Sequence, residues 1–229
     1  MKTLIVARTK AGKQRCIGGI AVGTNGYRSV RLMNPDNFFR ETNEQKHRGG
    51  GFWSKKHVPF QIGDIWDLEI EERKDIKPPH VEDVVVRDWS FVRDVGNEKL
   101  TSWLKEQVGS MDPQFLWKGG PWTIFGGKLK SSKHKDGKGY ITENDLPQRS
   151  TGFWIPNRDL VLQENRMTYR YQRAERHFGV SRLKHIGESK PVDVIPSGTL
   201  VRVSLSRWHE PEDSHYPNAC WLMMSGSYL

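Results

Sequence analysis

The chain has 229 residues, 35% of them hydrophobic and 28% charged, with a net charge of +9 and a pI of about 9.6. That profile suits one large or two small globular domains and excludes a disordered chain. A mean hydropathy of −0.71 and no apolar run near the ~20 residues that span a bilayer exclude a transmembrane helix, and the apolar stretch at residues 1–8 is too short for a signal peptide.

In chain order, residues 2–8 read as an apolar strand that runs into a basic loop from Arg8 to Arg15. Residues 16–22 read as a second strand, with Gly18-Gly19 marking a bulge or a close backbone contact. Thr24-Asn25-Gly26 is a hairpin signal and leads into a third strand at 27–33. There Arg28 and Val30 share one face, and Tyr27, Ser29 and Arg31 the other. Residues 34–57 show no periodicity and read as a mobile loop ending in the basic, aromatic run Phe52-Trp53-Ser54-Lys55-Lys56-His57. Residues 59–70 alternate cleanly, Pro78-Pro79 breaks the chain, and Val84-Val85-Val86 resumes it. Residues 97–108 are the best helix, with Asn97 as N-cap and Leu100, Trp103, Leu104 and Val108 on one stripe. Residues 111–149 are rich in Gly and Lys and read as a basic connector. A second β-rich unit follows from 150, including Leu160-Val161-Leu162, the segment 169–173, residues 180–186, a half-buried strand within 199–208 and a last strand at 220–224.

The charge is placed unevenly. Residues 1–60 hold 12 Lys and Arg against three Asp and Glu, and the remaining 24 of each cancel. Such asymmetry points to a polyanion, because each phosphate neutralised by Lys or Arg releases counterions; the plainer account is a solvated basic surface. Cys16 and Cys220 stand far apart with no CxxC partner, which argues against a disulfide framework or a zinc site and leaves a reducing cytoplasm as the expected compartment.

Several segments resemble a bacterial dual OB-fold domain family. They are the first strand with Arg15-Cys16-Ile17-Gly18-Gly19-Ile20 and Ser29-Val30-Arg31-Leu32-Met33, then Pro59-Phe60-Gln61-Ile62-Gly63-Asp64-Ile65-Trp66 and Pro78-Pro79-His80-Val81-Glu82-Asp83-Val84. In the second half they are Gly152-Phe153-Trp154, residues 195–208 and residues 220–228. The resemblance implies two tandem OB-like small β-barrels with one or two short helices, a nucleic-acid role and a place in bacterial defence. It implies no catalytic signature. The expected organisation is an N-terminal barrel at 1–110, the connector at 111–149 and a C-terminal barrel at 150–229.

OB-folds hold single strands with a basic groove and aromatic platforms, each stacked base being worth about 1–3 kcal/mol. Two segments offer that combination. The first is Arg8, Lys10, Lys13, Arg15, Arg28 and Arg31 with Trp53, Lys55 and Lys56; the alternative there is a solvated hairpin with Trp53 packed under its own loop. The second is Tyr169, Arg170, Tyr171, Arg173 and Arg176, with His177, Phe178, Arg182 and Lys184 nearby; the alternative is a Tyr core face with charges outside. Trp66, Trp154, Trp208 and Trp221 sit in strong strand patterns and read as core, with Trp208 the best exception. The expected function is binding of single-stranded or structured DNA or RNA, without catalysis and without a cofactor. One competitor is an adaptor that uses the same surfaces on a protein partner. Another is a metal-dependent nuclease centred on His80, Glu82 and Asp83, with Asp64 and Asp67 upstream.

Overall fold

The apolar run of the first strand exists because both of its faces are covered. In β1 (Lys2–Ala11), Ile5 points into one core while Leu4 and Val6 point into another. Strands buried on two sides read as continuous apolar runs instead of alternating ones. The computed structural model describes residues 1–23, 26–38, 51–73, 76–110, 115–132, 137–172, 179–209 and 218–229.

After β1 come β2 (Gln14–Gly23), β3 (Gly26–Met33), the short helix α1 (Pro35–Phe38), β4 (Trp53–Ser54), β5 (Asp64–Glu72) and β6 (Asp83–Asp94). The strands close in the order β1-β2-β3-β6-β5 and back to β1, with β3 and β6 parallel and the other neighbours antiparallel. This five-stranded closed order is that of an OB-type barrel. Its core holds Ile5, Ile17, Val30, Leu32, Phe60, Trp66, Leu68 and Val86. Trp53 belongs to that core as well. It lies in β4, paired with β2, and its indole N–H donates to the Leu32 carbonyl at 2.8 Å. Thr24 and Asn25 of the expected turn, and residues 39–50 of the expected loop, lie outside the described residues.

Next come α2 (Asn97–Ser110), β7 (Leu116–Gly119), a 3-10 segment Pro121–Gly127, β8 (Lys130–Ser132) and β9 (Lys138–Ile141). Then follow β10 (Thr151–Pro156), β11 (Leu160–Leu162), β12 (Thr168–Tyr171), β13 (Arg182–His185), β14 (Val194–Ile195), β15 (Leu200–Leu205) and β16 (Cys220–Tyr228). Here the OB order returns with its first strand broken in two. β10 pairs with β15, β15 with β16, β16 runs parallel to β13, β13 pairs with β12, and β12 with β11. Joining β10 to β11 across residues 157–159 closes the ring. The stretch expected as a connector contributes β7, β8 and β9 to this second sheet. Its Gly and Lys content marks turns, but Ile124, Phe125 and Ile141 enter the second core beside Trp154, Tyr169, Leu183 and Met224.

A third core joins the barrels. Leu4, Val6 and Ile20 of the first barrel meet Phe153, Leu200 and Tyr228 of the second, with Leu100, Leu104 and Val108 of α2 alongside. The helix stripe read from the sequence is thus the face that packs, and Trp103 meets Tyr27 edge-on at 5.7 Å. The side chain of Asn97, expected as the cap, lies outside the described set. The half-buried reading of residues 199–208 needs correction: every residue of β15 is buried. Val201, Val203 and Leu205 fill the second core, and Leu200, Arg202 and Ser204 face the first barrel. Among the described residues, no helix is long and apolar enough to cross a membrane.

Candidate nucleic-acid interface

The turn of the β1–β2 hairpin is the two residues Gly12-Lys13, and Gly12 takes a φ of 59° that only glycine adopts without strain. Beyond the first barrel, the end of β1 pairs with the chain that follows β13. The Lys10 N–H donates to the Ile186 carbonyl and the Glu188 N–H to the Arg8 carbonyl, each at 2.9 Å, with Thr9 opposite Gly187. The hairpin tip is thereby fixed against the second barrel. Lys10 and Lys13 are exposed on it, and Lys55 and Lys56 are exposed in the turn after β4, which pairs with Gln14 and Arg15. Lys10 comes near enough to His185 for its charge to add to burial in lowering that imidazole's proton affinity.

On the second barrel, Arg170 of β12 stands directly opposite Arg182 of β13, and Thr168 opposite Lys184. Lys138 of β9 is level with Arg182. Arg170 and Lys184 are exposed, and the intervening Tyr169, Tyr171 and Leu183 point inward. These are the second and third strands of the barrel, the face on which OB-folds hold oligonucleotides. The same face of the first barrel is covered: Ser29 Oγ lies 2.8 Å from Thr151 Oγ1, and Gly18 packs on Arg202.

Other residues expected at the interface are buried or engaged by partners within the fold, or lie outside the described residues. Arg8 and Arg15 are buried on Glu188: Nε of Arg15 donates to one carboxylate oxygen at 2.7 Å, and Nε of Arg8 forms an ion pair with the other at 2.8 Å. Arg31 is buried and donates to Asp83. Arg28 is exposed but ion-paired with Glu72. Tyr169 and Tyr171 are core residues whose hydroxyls donate to the Val192 carbonyl at 2.7 Å and to Asn157 Oδ1 at 2.6 Å, so neither offers a ring face to a base. Trp53 is equally enclosed, and Trp208 packs half-buried against the second core. Arg173 and Arg176, with His177 and Phe178, lie outside the described residues. The physical reason is common to the buried arginines: each finds a carboxylate that is remote in sequence.

The cluster weighed as a nuclease centre joins the barrels. Glu82 accepts from the Ser150 N–H at 2.6 Å, the Ser150 hydroxyl at 2.8 Å and the Thr151 N–H at 3.0 Å. Burial pushes its carboxyl upward, opposed by Arg31 and these donors. Asp83 is clamped between Arg31 and Arg207, the latter at 2.5 Å. Burial alone would raise Asp83, but the two guanidinium groups hold it down at about 2. His80 is driven down to about 2 by burial and then by the charges of Arg31 and Arg207, so it is neutral. It lies 3.7 Å from the Cys220 thiol, which burial pushes up to about 12. Asp64 accepts from the Gln61 N–H and the Trp66 indole, and Asp67 from the N-terminal ammonium. Among the described residues, no group of three or more His, Cys, Asp or Glu is placed to hold a metal.

Between the barrels, beside the lysine tip, opens a cleft of about 120 Å³. Lys10, Arg31, Arg202 and Arg207 line it beside apolar groups such as Phe52 and Met223. Arg202 escaped sequence reasoning because it sits within an apolar strand. The signal was there in pieces: an arginine inside Leu200-Val201-Arg202-Val203, and a glycine pair that lets a partner approach.

Two OB-type barrels, welded through one barrel's outer face and rimmed with lysine and arginine, define a tandem OB protein. The chain belongs to the dual OB-containing domain family, whose model matches residues 1–226. No curated protein matches it. Among solved structures it is similar to one described as the Ifi202 HINa domain in complex with 20bp dsDNA, at 10% identity over 98% of this chain and 95% of that one, with a TM-score of 0.26. It is similar also to one described as "Structural mimicry for functional antagonism", at 11% identity over 99% and 91%, with a TM-score of 0.27. Overlays this loose carry no functional weight.

Proposed function

We propose that the protein binds nucleic acid, with the sugar–phosphate backbone running over the outer face of β12 and β13 and on to the lysines of the β1–β2 tip. The observation that carries this reading is the register of Arg170 opposite Arg182, with Lys184 two residues along on the same face. A phosphate backbone is the ligand that converts such a row into affinity. Lys10, Lys13, Lys55 and Lys56 extend the track, and Arg8, Arg15 and Arg31 hold the scaffold beneath it. Contacts of this kind position a strand without reading bases, so little sequence preference is expected.

The test is fluorescence anisotropy with single-stranded DNA, single-stranded RNA and duplex at low and moderate salt. Binding should weaken steeply with salt, and R170E with K184E should abolish it while leaving the fold intact. Failure of all three probes to bind at low salt overturns the reading.

A second reading, a protein-interaction module, has one observation of its own. Residues 87–94 of β6 pair with β5, whereas β3 reaches only residues 83–85. Phe91 and Val92 are exposed on that stretch at 55% and 43%. Such an edge can accept an added strand from a partner. A partner retained by the wild type and lost in F91K, with oligonucleotides ignored, would favour it.

A further inference from the structure

The cleft between the barrels holds more positive charge than the described residues around it neutralise. Arg31, Arg202 and Arg207 line it, and the carboxylates at hand are Asp83 and Glu82. Among the described residues, three guanidinium groups therefore face at most two negative charges. Asp83 is shared by Arg31 and Arg207, and Arg73 adds a further cation 3.8 Å from it. Glu82 is turned to Ser150 and Thr151. Among the described residues no carboxylate pairs with Arg202, which is 4% exposed; its Nη1 donates to the Ser225 hydroxyl at 2.9 Å. Nη2 of Arg31 and Nε of Arg207 are both buried and have no hydrogen-bond acceptor among the described residues.

Unpaired buried N–H groups of charged side chains are costly, and a native protein keeps them for a reason. Planar guanidinium forks match tetrahedral oxyanions. We propose that this cleft is a binding site for a phosphate-type oxyanion, held by Arg31, Arg202 and Arg207. A water needs about 10–15 Å³ of such space, so a cleft of about 120 Å³ takes a five-atom oxyanion with room to enter. It falls below the roughly 300 Å³ at which pockets enclose whole organic ligands. The anion is therefore either free inorganic phosphate or the terminal phosphate of a nucleotide chain whose remainder lies outside, past Lys10. The site stands on its own geometry and does not depend on the track over β12 and β13.

Thermal unfolding of the full chain tests it, with inorganic phosphate titrated against sodium chloride of equal ionic strength. A ligand that binds only the folded state raises the midpoint with concentration, so phosphate should raise it and chloride should not. In R202M, which replaces an unpaired buried charge with an apolar chain of similar length, the phosphate-dependent shift should disappear while the protein stays folded. Should R202M fail to fold, R207Q, at a residue about one-fifth exposed, should lower phosphate affinity at least tenfold. A second arm compares 5′-phosphorylated with 5′-hydroxyl oligonucleotides. Tighter binding of the phosphorylated end, lost in R207Q, assigns the site to a chain terminus; equal binding, with the inorganic phosphate shift intact, assigns it to the free ion. No shift beyond chloride at 20-fold molar excess and above, or a shift unchanged in the folded variants, overturns the proposal. R170E leaves the phosphate shift in place whether or not nucleic-acid binding fails, which keeps the two readings apart.

Discussion

A Cβ added to Gly18 would stand 2.6 Å from Nη2 of Arg202, so the second barrel's guanidinium rests on bare backbone of the first. The contact is tighter than a Cβ tolerates, so a side chain here requires the Arg202 guanidinium to shift. G18A is expected to cost about 1–3 kcal/mol, the range for overpacking, as Arg202 is pushed off the Gly18 backbone. Urea unfolding should show a lower midpoint at an unchanged slope. Combined with R202M, which removes the clashing group, the loss should shrink well below that of G18A alone.

Asp83 is the one carboxylate clamped by both Arg31 and Arg207. D83N removes the carboxylate that Arg31 and Arg207 share, and removing one partner of a buried pair costs about 3–5 kcal/mol. The paired change D83L with R31M should cost much less than the two singles combined, read as a double-mutant cycle in urea. A cycle that closes additively would show that the clamp does not couple these residues.

His80 gives stability a pH dependence whose sign follows from its lowered proton affinity. Unfolded, it takes a proton below about 6.5; folded, only near 2. Between those values the unfolded chain binds more protons, so stability is full above 6.5 and falls as pH drops, by up to about 1.4 kcal/mol per pH unit. His185, also lowered, acts in the same direction. Glu82 is raised, so its contribution is lost as pH rises, and it partly offsets the slope above about 4.5. Asp83 enters only below about 3.8. Arg31 and Arg207 stay charged throughout. H80Q should flatten the fall between pH 6 and 5; an unchanged slope would mean that another group carries it.

Tyr169 separates packing from binding. Y169F loses one hydroxyl bond to the Val192 carbonyl and should cost about 1 kcal/mol. Oligonucleotide affinity should not change, because the ring is enclosed. A marked loss of affinity in a stable Y169F would place that ring at the ligand.

The strands were legible because alternation reports them directly. So was the parity of β3: Ser29 and Arg31 do share a face, which meets Thr151 and Asp83. What the parity does not reveal is what lies opposite. Arg8 and Arg15 look like free cations until Glu188, 173 residues from Arg15, closes on them. The excess charge of residues 1–60 is therefore partly internal to the fold; Lys10, Lys13, Lys55 and Lys56 keep the exposure expected of the whole set, and Arg28 keeps it while paired with Glu72. Arg170 is legible by the same rule, since its neighbours Tyr169 and Tyr171 turn inward. The second barrel's broken first strand was not, because β10 and β11 are short and three residues intervene.

The joining of first strand to last has a consequence during synthesis. The Tyr228 hydroxyl donates to the Val6 carbonyl at 2.6 Å, and Leu200 covers the same face. A first barrel emerging from the ribosome must carry Leu4, Val6 and Ile20 with no cover from β15 and β16, and only what α2 supplies, until residues 200–228 are made. At about 5–20 residues per second, that interval lasts several seconds or more. For that time the nascent chain presents a sticky apolar face, so its yield in the cell should depend on holdase chaperones and on slower growth temperature more than the stability of the finished protein would suggest.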